Sequence, residues 1–439
     1  MKTIFIAITM AALALCLTTG KSEEIITVKL TPDRNKIVKT KDAEVLIKLE
    51  LKGREASRKR RTPVNLALVL DRSGSMAGPK LEKAKQAACV AIDQLSEKDT
   101  ISVVIYDDLS NLLIPPQKVK DKSHLKSLVR EITDGGSTAL YAGVEMGAQQ
   151  VNKFFAKENV NRVFLLSDGI ANVGPSSPAE LARLGRNLRE QGIQVTTIGL
   201  GDDYNEDLMV SLAEASAANY YYVQDTEKLP GIFAEELGKI QNILARNLRV
   251  IIVLPEGVEG IEVVGEPDIR FTNRRAEIIL PEVYGSQNRS FLVRARVVNA
   301  SGGKMDVAQA NIDYKDEESG KDKKQQILAS IEMTENQKES DASLNVEVAQ
   351  EAALVQNRVV REEALKLADS GKKAEAVLKL KEQSQAISNL PAAARTPKLD
   401  QERDSLSAVA DEVEAKDGFD KRSRKAFQYE NYKQKNQKE

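Results

Sequence analysis

The sequence predicts a multidomain α/β plus β protein: a Rossmann-like, doubly wound α/β domain inserted in or next to a β-sandwich, with an α-helical C-terminal region. Three observations carry this reading. Between residues 63 and 241, apolar runs of strand length alternate with helical patterns, as in a mainly parallel sheet. Residues 24–53 and 246–333 instead alternate polar and apolar side chains at period two, the signature of half-buried strands. From residue 342 onward Ala, Glu, Lys, Leu and Gln dominate at helical spacing.

The elements follow in order. Residues 26–30 and 43–49 read as strands around the turn Pro32-Asp33-Arg34-Asn35. Two strands cannot form a core alone. They are therefore expected to join the later strands at 248–254, 276–280, 290–298 and 307–314 in one sandwich, with the α/β domain between them. The alternative is a separate N-terminal hairpin packed on the α/β domain. Within that domain, residues 66–70 form an unbroken apolar run, expected of a central parallel strand. A helix starts at Pro79 and runs through Leu95, with Leu81, Ala84, Ala88, Ala91, Ile92 and Leu95 on one face. Strand 100–106 follows, then an edge strand at 112–114 closed by Pro115-Pro116. Helix 139–155, strand 163–166, helix 178–191, strand 194–199, helix 206–217, strand 220–223 and a helix from Leu229 complete the domain. Residues 344–368 and 372–390, parted by Ser370-Gly371, read as an antiparallel helical hairpin, and 400–415 as a further helix. The division is thus 1–20 signal peptide, 21–62 N-terminal β segment, 63–241 α/β domain, 242–335 β-sandwich, 342–416 helical region and 417–439 basic tail, the last with the composition of a loosely ordered segment.

Composition narrows the functional classes. A chain of 439 residues exceeds a single core. Lys plus Arg (64) balances Asp plus Glu (65), so no global charge draws it to nucleic acid. Aromatic residues are 4% and Trp is absent, which leaves few stacking surfaces for bases. One His and two Cys cannot build a His/Cys zinc site. The basic run Arg58-Lys59-Arg60-Arg61 reads as a solvated linker at the sheet end opposite the candidate site. Lys2 followed by the apolar stretch 4–17 has the pattern of an export signal, predicting a periplasmic or cell-surface protein. Cys16 offers lipoprotein anchoring as an alternative, against which stands the bulky Leu15. With the signal removed, Cys89 remains the one thiol and reads as a core residue. Membrane association is confined to the N-terminus or the basic tail, and nothing in the sequence sets the oligomeric state.

The chemistry concentrates in three segments. The apolar run 66–70 ends in Asp71-Arg72-Ser73-Gly74-Ser75; Gly135-Gly136-Ser137-Thr138 opens a helix; a second apolar run ends in Ser167-Asp168-Gly169. Loops at the carboxyl ends of strands in a doubly wound sheet line one crevice. Asp71, Ser73, Ser75, Thr138 and Asp168 can therefore converge, and clustered oxygen donors suit a hard cation. Asp107 reads as a solvated loop carboxylate on the same face, with ion ligation as the alternative. His124 reads as a helix-surface residue.

The DxSxS segment, the threonine after a glycine pair and the distant SDG, in that order, resemble the metal-ion-dependent adhesion site (MIDAS) of von Willebrand factor type A domains. The order of segments resembles that of bacterial exported proteins with this domain. The resemblance implies that Ser73, Ser75 and Thr138 are inner ligands of Mg²⁺ or Mn²⁺, with Asp71 and Asp168 acting mostly through water. It implies a non-enzymatic module that binds a protein partner through an Asp or Glu carboxylate. Two other classes stand beside it: a scaffold that recognises partners through its helical end, and a metal-dependent hydrolase, for which no positioned general base or phosphate loop is visible.

Overall fold

The computed structural model describes residues 24–39, 42–55, 61–298, 303–416 and 418–436. The N-terminal signal-like segment, Cys16 and residues 58–60 of the basic run lie outside the described residues. Among those described, strands form three sheets. The first strands are β1 (Ile26–Pro32), β2 (Lys36–Val38) and β3 (Asp42–Gly53).

The α/β domain follows directly: β4 (Val64–Asp71), α1 (Pro79–Gln94), β5 (Thr100–Tyr106), β6 (Ser110–Lys118), α2 (Lys122–Arg130), α3 (Leu140–Lys153), β7 (Val160–Ser167), α4 (Pro178–Glu190), β8 (Gln194–Leu200), α5 (Glu206–Ala215), β9 (Tyr220–Val223) and α6 (Leu229–Ile240). Its sheet has the order β6-β5-β4-β7-β8-β9. All neighbours are parallel except β5 and β6. Every residue of β4 is buried, and its side chains divide by the two-residue period of a strand. Leu66, Leu68 and Leu70 join α1 and α6 on one face, whereas Ala67 and Val69 join α3, α4 and α5 on the other. The chain leaves β4 toward β5 and later returns to place β7 on β4's other side. The order reverses between β4 and β7, so this is the switch point where such sheets bind ligands.

The edge strand β6 continues through Pro115 and Pro116 rather than stopping at them. Consecutive prolines aim their nitrogens to opposite sides, and this pair lies where the register with β5 shifts, between Ile114–Val103 and Gln117–Ile101, so neither has to donate to the ladder. Cys89 is half-buried on α1, not fully enclosed, and burial pushes its thiol pKa up.

The sandwich uses both ends of the α/β insertion. Its later strands are β10 (Ile243–Val253), β11 (Val258–Val263), β12 (Arg275–Tyr284), β13 (Asn288–Val298), β14 (Lys304–Asp316) and β15 (Asp322–Thr334). One sheet has the order β1-β3-β13-β11 and the other β12-β10-β14-β15-β2. Leu49 of β3 pairs with Phe291 of β13, and Ile37 of β2 with Met333 of β15. Inward residues of both sheets, among them Val45, Ile47, Leu49, Val250, Ile252, Val293 and Ile312, form one core. Arg162, fully buried at the start of β7, reaches across to Glu282 Oε2 (2.9 Å) and the Tyr284 hydroxyl (3.2 Å) of β12, joining the two bodies.

The C-terminal region comprises α7 (Gln337–Ala342), α8 (Val346–Asp369), α9 (Lys373–Ser388), α10 (Pro397–Ala415) and α11 (Lys421–Asn436). Ala364, Leu365, Ala376, Val377, Leu380, Leu406 and Ala410 pack as a helical core. The basic tail differs from its expected looseness: residues 421–436 are helical and docked. Lys425 Nζ lies 2.7 Å from Glu206 Oε2, both buried, and Arg424 contacts Glu206, Asp207 and Asp369. A basic, polar composition offers little to bury, but the acidic first turn of α5 supplies charged partners for these cations. Tyr429 and Tyr432 stack edge-to-face on Tyr220, with ring centroids 5.7 and 5.4 Å away. On another side of α11, Phe427 enters the helical core.

The Tyr432 hydroxyl accepts the amide of Tyr220 (2.9 Å) on edge strand β9 and donates to Ala218 O (3.1 Å). Removing an acceptor from a buried amide costs about 1–3 kcal/mol. Tyr432→Phe should therefore lower stability by about that amount and speed hydrogen exchange at the Tyr220 amide, with amides in β4 unaffected.

Candidate cation site

Asp71 is the last residue of β4 and Ser167 the last of β7. Their strands are hydrogen-bonded neighbours, so the two side chains meet. The Ser167 hydroxyl donates to Asp71 Oδ2 (2.8 Å), and the Ser73 amide donates to Asp71 Oδ1 (2.8 Å). This clamp turns the loop after β4 back over the strand end. Ser73 and Ser75 are thereby aligned, with their hydroxyl oxygens 3.1 Å apart. The Ser75 hydroxyl donates to Asp168 Oδ1 (2.6 Å), which ties the first loop to the second.

Thr138 enters from α3. That helix approaches β4 closely because Gly147 has no side chain: a Cβ there would lie 2.5 Å from Val69 Cγ2. Thr138, just before the helix, has its amide held by Asn172 Oδ1 (2.9 Å), and Asn172 returns its own amide to Thr138 O (3.3 Å). Gly169 separates the threonine from the serines. A Cβ on Gly169 would meet Thr138 Oγ1 at 3.0 Å and Ser75 Oγ at 3.3 Å, so both hydroxyls face one small space that a side chain would fill.

The structure therefore gathers all five sequence-predicted residues around one mouth. Asp71 and Asp168 are fully buried, Ser73 and Thr138 nearly so, and Ser75 is exposed at the opening. Among the described residues, no cluster of three or more His, Cys, Asp or Glu could hold a metal ion. A cation here would rely on neutral hydroxyls plus two carboxylates, a set of oxygens that fits a hard divalent ion.

Asp107 departs from the expectation of a solvated carboxylate. It is buried, with Oδ2 2.5 Å from Arg72 and Oδ1 accepting the Leu109 amide (3.2 Å). It braces the first loop rather than pointing to solvent. His124 lies exposed on α2. Of the basic run, Arg61 pairs with Asp99 (2.6 Å). Sequence reasoning missed the supports: Ser167, Asn172, Lys80 and Tyr106. Ser167 and Asn172 stand within the same short segment as Asp168, but nothing local marks their bonding partners.

Burial sets the electrostatics. Desolvation pushes the Asp71 carboxyl up to about 6, against hydrogen bonds from Ser73 and Ser167 that favour the ionised form. Beneath it, burial raises the Tyr106 phenol well above its usual range, and that hydroxyl donates to Leu166 O (2.9 Å).

Residues 65–235 match the family model of the von Willebrand factor type A domain. The chain carries a von Willebrand factor type A domain. The uncharacterized protein sll0103 of Synechocystis sp. is 29% identical over 273 residues, covering 60% of this chain and 64% of that protein. The chain thus spans less than two thirds of that curated relative's length. Two solved structures share the architecture. A von Willebrand factor type A protein from Catenulispora acidiphila superimposes with a TM-score of 0.63 at 18% identity, covering 89% of this chain and 97% of that one. The ArnB paralog VWA2 from Sulfolobus acidocaldarius gives 0.58 at 19% identity, covering 88% and 98%. The likeness thus extends beyond the type A domain to most of the chain, and the expected fold class holds. The residues matched by the family model include all five candidate ligands.

The raised Asp71 value has a testable sign. Between about pH 4 and pH 6, folded chelated protein holds a proton that unfolded chain has released, so stability falls as pH rises through this window. The contribution is present below the unfolded value of 3.8 and lost above about 6, a difference of about 3 kcal/mol. Urea unfolding in EDTA should show this fall in the wild type, whereas Asp71→Asn should flatten it.

Proposed function

We propose that this chain is an exported binding module. It holds Mg²⁺, or Mn²⁺, among Ser73, Ser75, Thr138, Asp71 and Asp168, and uses the site to engage an Asp or Glu side chain of a protein partner. The observation that carries this reading is the shared space in front of Gly169, bordered by Thr138 Oγ1 and Ser75 Oγ and backed by two buried carboxylates. A divalent ion bound mainly by neutral hydroxyls supplies residual positive charge that attracts an incoming carboxylate. Ser73, Ser75 and Thr138 act as inner donors. Asp71 and Asp168 accept from Ser73, Ser167 and Ser75 and hold those groups in register. Export is supported by the signal-like residues 1–20. No helix among the described residues is long and apolar enough to cross a membrane.

The rim of the mouth suggests the partner's surroundings. Leu109 follows Asp107-Asp108 on the β5–β6 loop and is 71% exposed. Ile170 (57%) and Val173 (38%) flank Asn172, which pins Thr138. Exposed apolar side chains on two loops beside a charged centre suit an acidic residue flanked by apolar neighbours. A binding role, rather than a hydrolytic one, also accords with oxygen donors that already bond to one another and with the exposed position of His124 on α2.

The test is affinity capture with the exported form, in Mg²⁺ and in EDTA. A captured partner should be retained in Mg²⁺, released by EDTA and lost with Asp71→Ala. Equal retention in all three conditions would reject the reading. Leu109→Lys should weaken the same interaction about tenfold or more in direct titration while leaving cation binding intact.

A further inference from the structure

Lys80 is the second residue of α1 and follows the first ligand loop after a short turn. Its ammonium lies 2.5 Å from Asp168 Oδ2. The other oxygen of the same carboxylate accepts the Ser75 hydroxyl. Asp168 is fully buried, whereas the Lys80 side chain is 30% exposed. The lysine also passes the loop after β8: a Cβ on Gly201 would lie 3.8 Å from both Cε and Nζ. One carboxylate of the candidate site is thus shared between a neutral hydroxyl and a cation belonging to the chain itself. Asp168 faces this ammonium, whereas Asp71 is answered by the Ser73 amide and the Ser167 hydroxyl.

Resting on the cation reading above, we propose that Lys80 is the site's internal counter-cation. It stabilises buried Asp168 when no divalent ion is bound, and it repels the ion when one binds. Both effects weaken ion binding. The same charge leaves the site less able to neutralise a bound ion, which favours an added carboxylate from a partner. A lysine in this position therefore exchanges cation affinity for ligand affinity. The two effects of the ammonium have opposite signs in two measurements, which separates them from a purely structural role. Losing the ammonium strands a buried carboxylate and lowers stability without metal, yet it tightens the grip on a divalent ion. Even with the screening of bulk water, a unit charge about 4 Å from a divalent ion corresponds to more than tenfold in affinity.

The experiment titrates Mn²⁺ into the full chain and into Lys80→Gln and Lys80→Arg by isothermal calorimetry, with thermal unfolding in EDTA and in Mn²⁺. Lys80→Gln should bind Mn²⁺ at least about tenfold tighter, melt at a lower temperature in EDTA and gain more from Mn²⁺ than the wild type. Lys80→Arg, which keeps the charge and the helix, should stay within about threefold of the wild type. Binding by the wild type with an unchanged or weaker Lys80→Gln overturns the counter-cation role and leaves the cation site standing. Tighter binding by both Lys80→Gln and Lys80→Arg also overturns it, because charge would then not be the cause. Mn²⁺ binding by none of the three proteins overturns the cation reading and this inference together.

Discussion

Two carboxylates removed from water at the ends of adjacent central strands are the constraint around which this protein is arranged. An ionised carboxylate is expensive to bury unless hydrogen bonds or charges answer it. The surrounding elements can be read as those answers. Ser167 and the Ser73 amide serve Asp71; Ser75 and Lys80 serve Asp168. The sheet's order places the strand ends side by side, and the close seat of α3 on β4 brings Thr138 to the same mouth. Loop chemistry at this point therefore depends on strand order and on the contacts of Gly143 and Gly147 with Val69 in the core behind it.

The outer parts of the chain hold that domain by unlike means. At the base of β7, the buried guanidinium of Arg162 meets Glu282 and Tyr284, so the sandwich is joined through a charged pair rather than an apolar patch alone. Along the β9 edge the join is aromatic and ionic, made by α11. An edge strand left uncovered invites pairing with another chain. Here a tyrosine hydroxyl, not another strand, takes the outward amide of Tyr220. The same helix inserts Phe427 into the helical core, where the Arg361 guanidinium lies 4.9 Å from its ring. One terminal helix thus fastens two bodies at once.

What was readable in the sequence was whatever is written locally. The run 66–70 announced a central strand because both of its faces are apolar, and the five ligand candidates were readable because strand ends in this fold share a crevice. The misreadings concern residues whose meaning lies in a distant partner. Pro115 and Pro116 looked like a stop because proline lacks a donor, but they lie at a register shift of an edge strand, where no ladder donor is required. Asp107 looked solvated because Arg72, which neutralises it, lies on another loop. The basic tail looked loose because its acidic counterparts, Glu206 and Asp207, sit more than two hundred positions earlier. Lys80 could not be linked to Asp168 by any spacing rule, since the contact exists only once α1 has packed beside β7.

The pairing of β3 with β13 and of β2 with β15 also fixes an order of events during biosynthesis. β1 and β3 pair with each other, but β13, the other neighbour of β3, and β15, the neighbour of β2, are made only after the type A domain. The free edge of β3 and the whole of β2 stay unpaired while the type A domain is made between them and their later neighbours, and both sheets are completed only by late strands. Such late, non-local closure is slow and leaves open strand edges vulnerable to association. The sandwich of a nascent chain of this design keeps unpaired edges until residues 288–334 have been made.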